Sequence, residues 1–144
     1  MRAQIHVITL GVEDLERALS FYRDGLGLPS TGITGTQFTG DEKHPAGDAV
    51  MVTLEDGLIL SLYPRSELAK DAGVAPHHTA GSGISIGHFV DSPAEVDRIL
   101  ELAARAGGHV PGPAHERPWG IYSGYFADPD GHLWEIIHYP GRDI

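Results

Sequence analysis

Residues 121–138 read IYSGYFADPDGHLWEIIH, and the fold turns on how that stretch is understood. Asp128-Pro129-Asp130-Gly131 is a turn signal. Pro129 presets a negative φ, Asp128 offers an acceptor to the amides ahead of it, and Gly131 takes the reversal without a Cβ in the way. The branched and aromatic residues on both sides favour a β-hairpin over a helix. The return strand, Leu133, Trp134, Glu135, Ile136, Ile137, sets one ionised side chain in an apolar row. Burying that carboxylate unpaired is costly, so Glu135 belongs at a solvent-lined edge or inside a site.

Upstream, Asp91-Ser92-Pro93 predicts a capped helix start with Pro93 at its first position. Val96, Ile99, Leu100, Leu102 and Ala103 form its apolar side, and Gly107-Gly108 end it. Ile84 to Val90 before it is a strand, and His109 to Pro113 after it is strand-like. A loop runs from there through Trp119 to the hairpin.

The first half repeats this grammar. Ile5 to Val12 alternates as a strand, and Asp14 caps a helix whose apolar face is Leu15, Ala18, Leu19 and Tyr22. Pro29 to Gly47 reads as a loop or weak strand. Asp48 to Leu54 and Leu58 to Tyr63 are strands joined by Glu55-Asp56-Gly57. Arg65 to Ala72 suits a short helix, and His77 to Gly83 a flexible connector.

The 144-residue length fits one domain, or two very small modules sharing one. A formal charge of −10 and scarce Lys and Arg argue against nucleic acid as a partner. Without cysteine there are no disulfides, thiolate metal sites or thiol nucleophiles. No stretch has the apolar length of a membrane span and the N-terminus lacks a signal-peptide pattern, so no membrane contact and a cytoplasmic location are expected. Nothing resembles a P-loop, a dinucleotide fingerprint or a nucleophile elbow.

Each half therefore reads as a βαβββ unit, an internal duplication. Val12-Glu13 registers with Val90-Asp91, and Asp56-Gly57 with Asp130-Gly131. This layout, with ITLGVEDLERALSFYRDGLGL near the start and YFADPDGHLWEI near the end, resembles the vicinal oxygen chelate superfamily of glyoxalases, bleomycin-resistance proteins and extradiol dioxygenases. The resemblance implies an α+β fold of two βαβββ modules curling into a cup-shaped sheet. The expected bounds are module 1 at about 1–64, a connector at about 65–83 and module 2 at about 84–144. It also implies a homodimer.

In the metal enzymes of that superfamily the ligands come from the first and fourth strands of each module. Carried onto this chain, those positions are Val7, Ser61, Ser85 and Glu135, and the internal register gives the same correspondence. Only Glu135 is an ordinary ligand. His6 and His88 lie on the wrong parity of their strands, where only a bulge would turn them inward. No metal site is expected, with Glu135 the one ligand if a cation binds.

Alternation predicts an inward row of Val7, Thr9, Thr53, Ser61, Ser85, Phe89, Phe126, Leu133 and Glu135, with Tyr122 and Gly124 opposite it across the final hairpin. Small hydroxyls, aromatics and one acid are the mixture of a small-molecule site. The ligand-contact candidates are Thr9, Thr53, Ser61, Ser85, Phe89, Trp119, Tyr122 and Phe126, and Glu135 is the catalytic candidate. The plain structural alternative makes Glu135 an acid bonded to backbone or Arg, and Phe89 and Leu133 core. Trp119 is a stacking lid or a loop residue packed on its own domain. The His77-His78 pair reads as a solvated loop.

Two functions follow. The favoured one is a cofactor-free protein that binds a small organic molecule in the cup. The other is a glyoxalase-like lyase or a dioxygenase that uses a divalent cation (Ni, Zn, Fe or Mn) with Glu135 as ligand or base. Metal-free acid–base catalysis by Glu135 is a third.

Overall fold

The computed structural model describes residues 1–79 and 83–141 and divides the chain into two compact units, Met1–Gly81 and Ser82–Ile144. The first holds β1 (Val7–Val12), α1 (Leu15–Leu19), β2 (Ile33–Thr34), β3 (Ala49–Thr53), β4 (Ile59–Pro64) and α2 (Arg65–Ala72). The second holds β5 (Ser85–Phe89), α3 (Pro93–Arg105), β6 (His115–Glu116), β7 (Tyr122–Ala127) and β8 (Leu133–His138).

Each unit has one four-stranded sheet, ordered β1-β4-β3-β2 in the first and β5-β8-β7-β6 in the second. The first and last strands of each unit pair in parallel and the others antiparallel. The duplication extends to the register: Val7 pairs with Ile59 as Ser85 pairs with Leu133, and Thr53 pairs with Ile59 as Ala127 pairs with Leu133. It reaches the turns too. Gly57 N–H donates to Leu54 O and Gly131 N–H to Asp128 O, both at 2.9 Å, and both glycines sit at φ +88°. That backbone conformation strains any residue with a Cβ.

Alternation puts one face of each sheet against helices. In the first unit Leu10, Val12, Val50, Val52, Leu60 and Leu62 are buried under α1 and α2. In the second, Phe126 and Ile136 pack with Val96, Leu100 and Ala103 of α3. Each such side chain contributes roughly 1.5–3 kcal/mol of transfer free energy. The opposite faces are open: Val7 and Met51 are each 47% exposed, Phe89 and Leu133 each 40%.

The caps stand as the residue types suggest. Asp14 accepts from Arg17 N–H at 3.2 Å, and Ser92 accepts from Glu95 N–H at 3.2 Å with Pro93 following. The Asp128 carboxylate takes the amides of Asp130 (2.9 Å) and His132 (2.8 Å). α2 occupies the expected residues and closes on Gly73 in the left-handed conformation.

Several expectations need correction. The first strand begins at Val7, not Ile5. The first helix does not continue as regular α-helix but widens into a π-helical turn over Ser20–Gly25. That turn lets the sequence neighbours Phe21 and Tyr22 both enter the core, edge to face with centroids 5.0 Å apart. His109 to Pro113 makes only a single bridge, His109 to Ala127, because Pro111 and Pro113 bring no N–H to a ladder. The strand forms two residues later, at β6. Pro76–Thr79 is a 3₁₀ turn, and residues 80–82 of the expected connector lie outside the described residues. No helix among the described residues is long and apolar enough to cross a membrane.

Candidate functional site

Glu135 is in the middle of β8, paired with Gly87 on β5 and Tyr125 on β7. Residues paired across a ladder share a face, so Glu135, Tyr125 and Gly87 lie together on the open side. Gly87 brings no side chain, and a Cβ built there meets only Ile137 Cδ1 at 3.4 Å. Ser123, one step further along β7 on the same face, is fully buried and donates its hydroxyl to Glu135 Oε2 at 2.8 Å. Glu135 is half-buried, so its charge is partly removed from water while that bond and the Tyr125 hydroxyl compensate.

Tyr125 is raised above the ordinary tyrosine value, first by burial, then by the charge of Glu135 and the hydrogen bond to it. Arg117 opposes that shift. Its guanidinium carbon stands 5.7 Å from the Tyr125 ring centroid, a cation–π contact. The site of the second unit is thus a carboxylate with two hydroxyls and a cation over the tyrosine ring. Glu135 is bonded to side-chain hydroxyls, not to backbone or Arg as the plain structural reading supposed.

The register corrects the expected row. β7 and β8 pair odd with odd and even with even across the Asp128 turn, so Phe126 pairs with Trp134 and Tyr122 with His138. Phe126 therefore turns to the helix side, 1% exposed and stacked on Trp134 at 6.0 Å. Tyr122 points the same way, its hydroxyl bonded to Asp97 of α3 at 2.8 Å. Gly124 shares that face, where a Cβ would come within 2.6 Å of Leu100 Cδ1. These three do not face Glu135; Ser123, Tyr125 and Ala127 hold the inward positions of β7.

Among the other candidates, Ser85 and Phe89 lie on the open face of the second sheet, with Leu133 beside Ser85. Thr9, Thr53 and Ser61 lie on the open face of the first, where Ser61 is only 5% exposed between Thr9 and Met51. Trp119 is 83% exposed in a 3₁₀ turn over Pro118–Gly120, at φ +63°. For a residue other than glycine that conformation costs roughly 1–2 kcal/mol. His88 pairs with Ile136, on the face opposite Glu135.

Tyr125, Ser123 and Arg117 are the residues that the sequence reading missed. The first two follow from counting parity across the hairpin. Arg117 follows a two-residue strand, His115–Glu116, with no apolar alternation to reveal it.

A divalent cation needs carboxylate or imidazole donors, and the four positions in question hold Val7, Ser61, Ser85 and Glu135. Valine has no donor and the two serines offer neutral hydroxyls, so this set does not fit such a cation. Among the described residues no group of three or more His, Asp or Glu is placed to hold one.

Paired βαβββ units, each with a helix-covered face and an open face, define the class of protein. The chain belongs to the Glyoxalase/Bleomycin resistance protein/Dioxygenase superfamily, whose family model matches residues 4–136. A glyoxalase-related enzyme from Fulvimarina pelagi is 33% identical, with TM-score 0.80 over 99% of this chain and 93% of its own. A lactoylglutathione lyase from Agrobacterium tumefaciens is 28% identical, with TM-score 0.66 over 96% of this chain and 95% of its own. A putative lactoylglutathione lyase of Brassica oleracea var. gemmifera is 26% identical over 94% of this chain. The chain spans only 44% of that relative's length.

Proposed function

We propose that this chain binds a small organic molecule on the open face of its second sheet, with Glu135 as the polar anchor and no divalent cation in the site. The observation that carries this reading is the setting of Glu135. It is half-buried, held by Ser123 and Tyr125, and faced across β5 by a glycine that leaves room for a ligand. Carboxylates so placed accept hydrogen bonds from a ligand hydroxyl or amine, or take a proton from it.

The similarity to the two lactoylglutathione lyases supports a second reading, a metal-dependent lyase acting on a 2-oxoaldehyde hemithioacetal. Its donor set is what this chain lacks. We therefore expect no hemithioacetal turnover after loading with Ni, Zn, Fe or Mn.

Amide NMR of the full chain with a panel of small hydroxylated and amine-bearing organics, with and without Zn²⁺, tests the favoured reading. Shifts should gather at Gly87, Ser123, Tyr125 and Glu135 without added cation and disappear in both Glu135→Gln and Glu135→Ala. Shifts that arise only once the cation is present, or none at these four residues, would overturn it.

A further inference from the structure

Arg117 is the side chain on this face whose presence the fold does not explain. Its backbone amide is bonded to Ile121 O at 2.7 Å, but its Nε is buried and has no hydrogen-bond partner. Arg23, Arg65 and Arg98 each pair with a carboxylate: Asp24, Glu13 and Glu95. Among the described residues no carboxylate pairs with Arg117. In a chain with 20 acidic and 10 basic Lys and Arg residues, a half-buried guanidinium lacking an acid is conspicuous. Nε is closed off by the protein itself, so an acceptor from outside the chain would meet the guanidinium at its terminal nitrogens.

Two neighbours give that acceptor a setting. The Tyr125 ring lies against the guanidinium, its centroid 5.7 Å from the guanidinium carbon. Two residues on, Trp119 is 83% exposed and held at φ +63° between Pro118 and Gly120. Left-handed backbone at a bulky residue is uncommon and gathers at ligand clamps. Phe89 and Leu133, each 40% exposed, add apolar surface on the same side of the sheet.

We infer that Arg117 is an anion-recognition residue that takes the carboxylate of a small amphipathic acid, whose apolar body lies on this face and whose hydroxyl or amine meets Glu135. This rests on the small-molecule reading above and names its ligand class. A planar fork of donors matches a carboxylate in two parallel hydrogen bonds, which a point charge cannot do. The strongly acidic chain repels anions at long range, so one local guanidinium must supply the selectivity.

Isothermal titration calorimetry of the full chain with benzoate, benzyl alcohol and inorganic phosphate tests it. Wild type should bind benzoate about tenfold or more tightly than benzyl alcohol, the ratio expected for a charge-assisted pair. Arg117→Gln should lose that preference and bind the two alike. Arg117→Lys, which keeps the charge without the fork, should fall between. Thermal unfolding of each variant separates lost binding from lost folding, with Arg117→Lys as the variant least disturbed in charge.

Equal binding of benzoate and benzyl alcohol by wild type overturns the anion claim while leaving the small-molecule reading intact. So does a preference that survives in Arg117→Gln. Phosphate bound as tightly as benzoate points to a bare oxyanion site and overturns the amphipathic acid. If wild type binds none of the three probes, the ligand class is wrong, whatever the wider organic panel shows.

Discussion

Glu135 was legible in the sequence because a lone carboxylate in the row Leu133, Trp134, Glu135, Ile136, Ile137 breaks a pattern. Its partners were not, because they are set by which residues of β7 face it. Ser123 and Tyr125 share its face, whereas Tyr122 and Phe126 turn to the helix. The Tyr125 hydroxyl offers a test at this scale. Its value is raised above the ordinary 10.0 by burial and by Glu135, and pulled down by Arg117. Ultraviolet difference titration of wild type against Tyr125→Phe should place its midpoint above pH 10.0. Glu135→Gln should lower that midpoint and Arg117→Gln should raise it. The folded state holds this proton more tightly than the unfolded chain. Its contribution to stability is therefore full below the unfolded value and lost as pH rises through the raised one. A midpoint unmoved by either substitution would mean the three groups are not coupled.

Helices and strands were legible wherever caps, turns and period agreed. Asp14, Ser92 and the Asp128 turn each make the backbone hydrogen bonds their side chains are suited to. Where a local signal was weak, the outcome was set by tertiary packing. The π-helical turn after α1 is one case, since it brings Phe21 and Tyr22 into the core together, and β6 is another. The packing of α3 on β7 rests on Gly124, where a Cβ would meet Leu100 Cδ1 at 2.6 Å and Ala114 Cα at 3.1 Å. Leu100 can give at its far end, but the Ala114 backbone cannot without moving the approach to β6. Gly124→Ala should cost about 1–3 kcal/mol in urea unfolding, as overpacking does. Gly87→Ala, with its contact at 3.4 Å, should cost much less in the same measurement. Equal losses at the two glycines would show that space around β7 is not the constraint.

At the level of the whole chain the duplication was readable and is repeated in strand order, register and turn hydrogen bonds. It makes the difference between the halves informative. Ser61 and Glu135 occupy corresponding positions, as do Val7 and Ser85, so one acid stands where a symmetric metal site would need several donors. The same correspondence pairs Thr9 with Gly87, which gives the second sheet its gap beside the acid. Chemistry, unlike fold, does not follow from membership of a superfamily with many functions, so it has to be read from these residues.

Native mass spectrometry of the full chain, prepared without chelators, tests most directly whether the Glu135 face holds an organic ligand and no cation. The expected spectrum carries an organic adduct that Glu135→Ala removes, and no stoichiometric metal in either protein. A stoichiometric divalent metal on wild type that is lost in Glu135→Ala would contradict it.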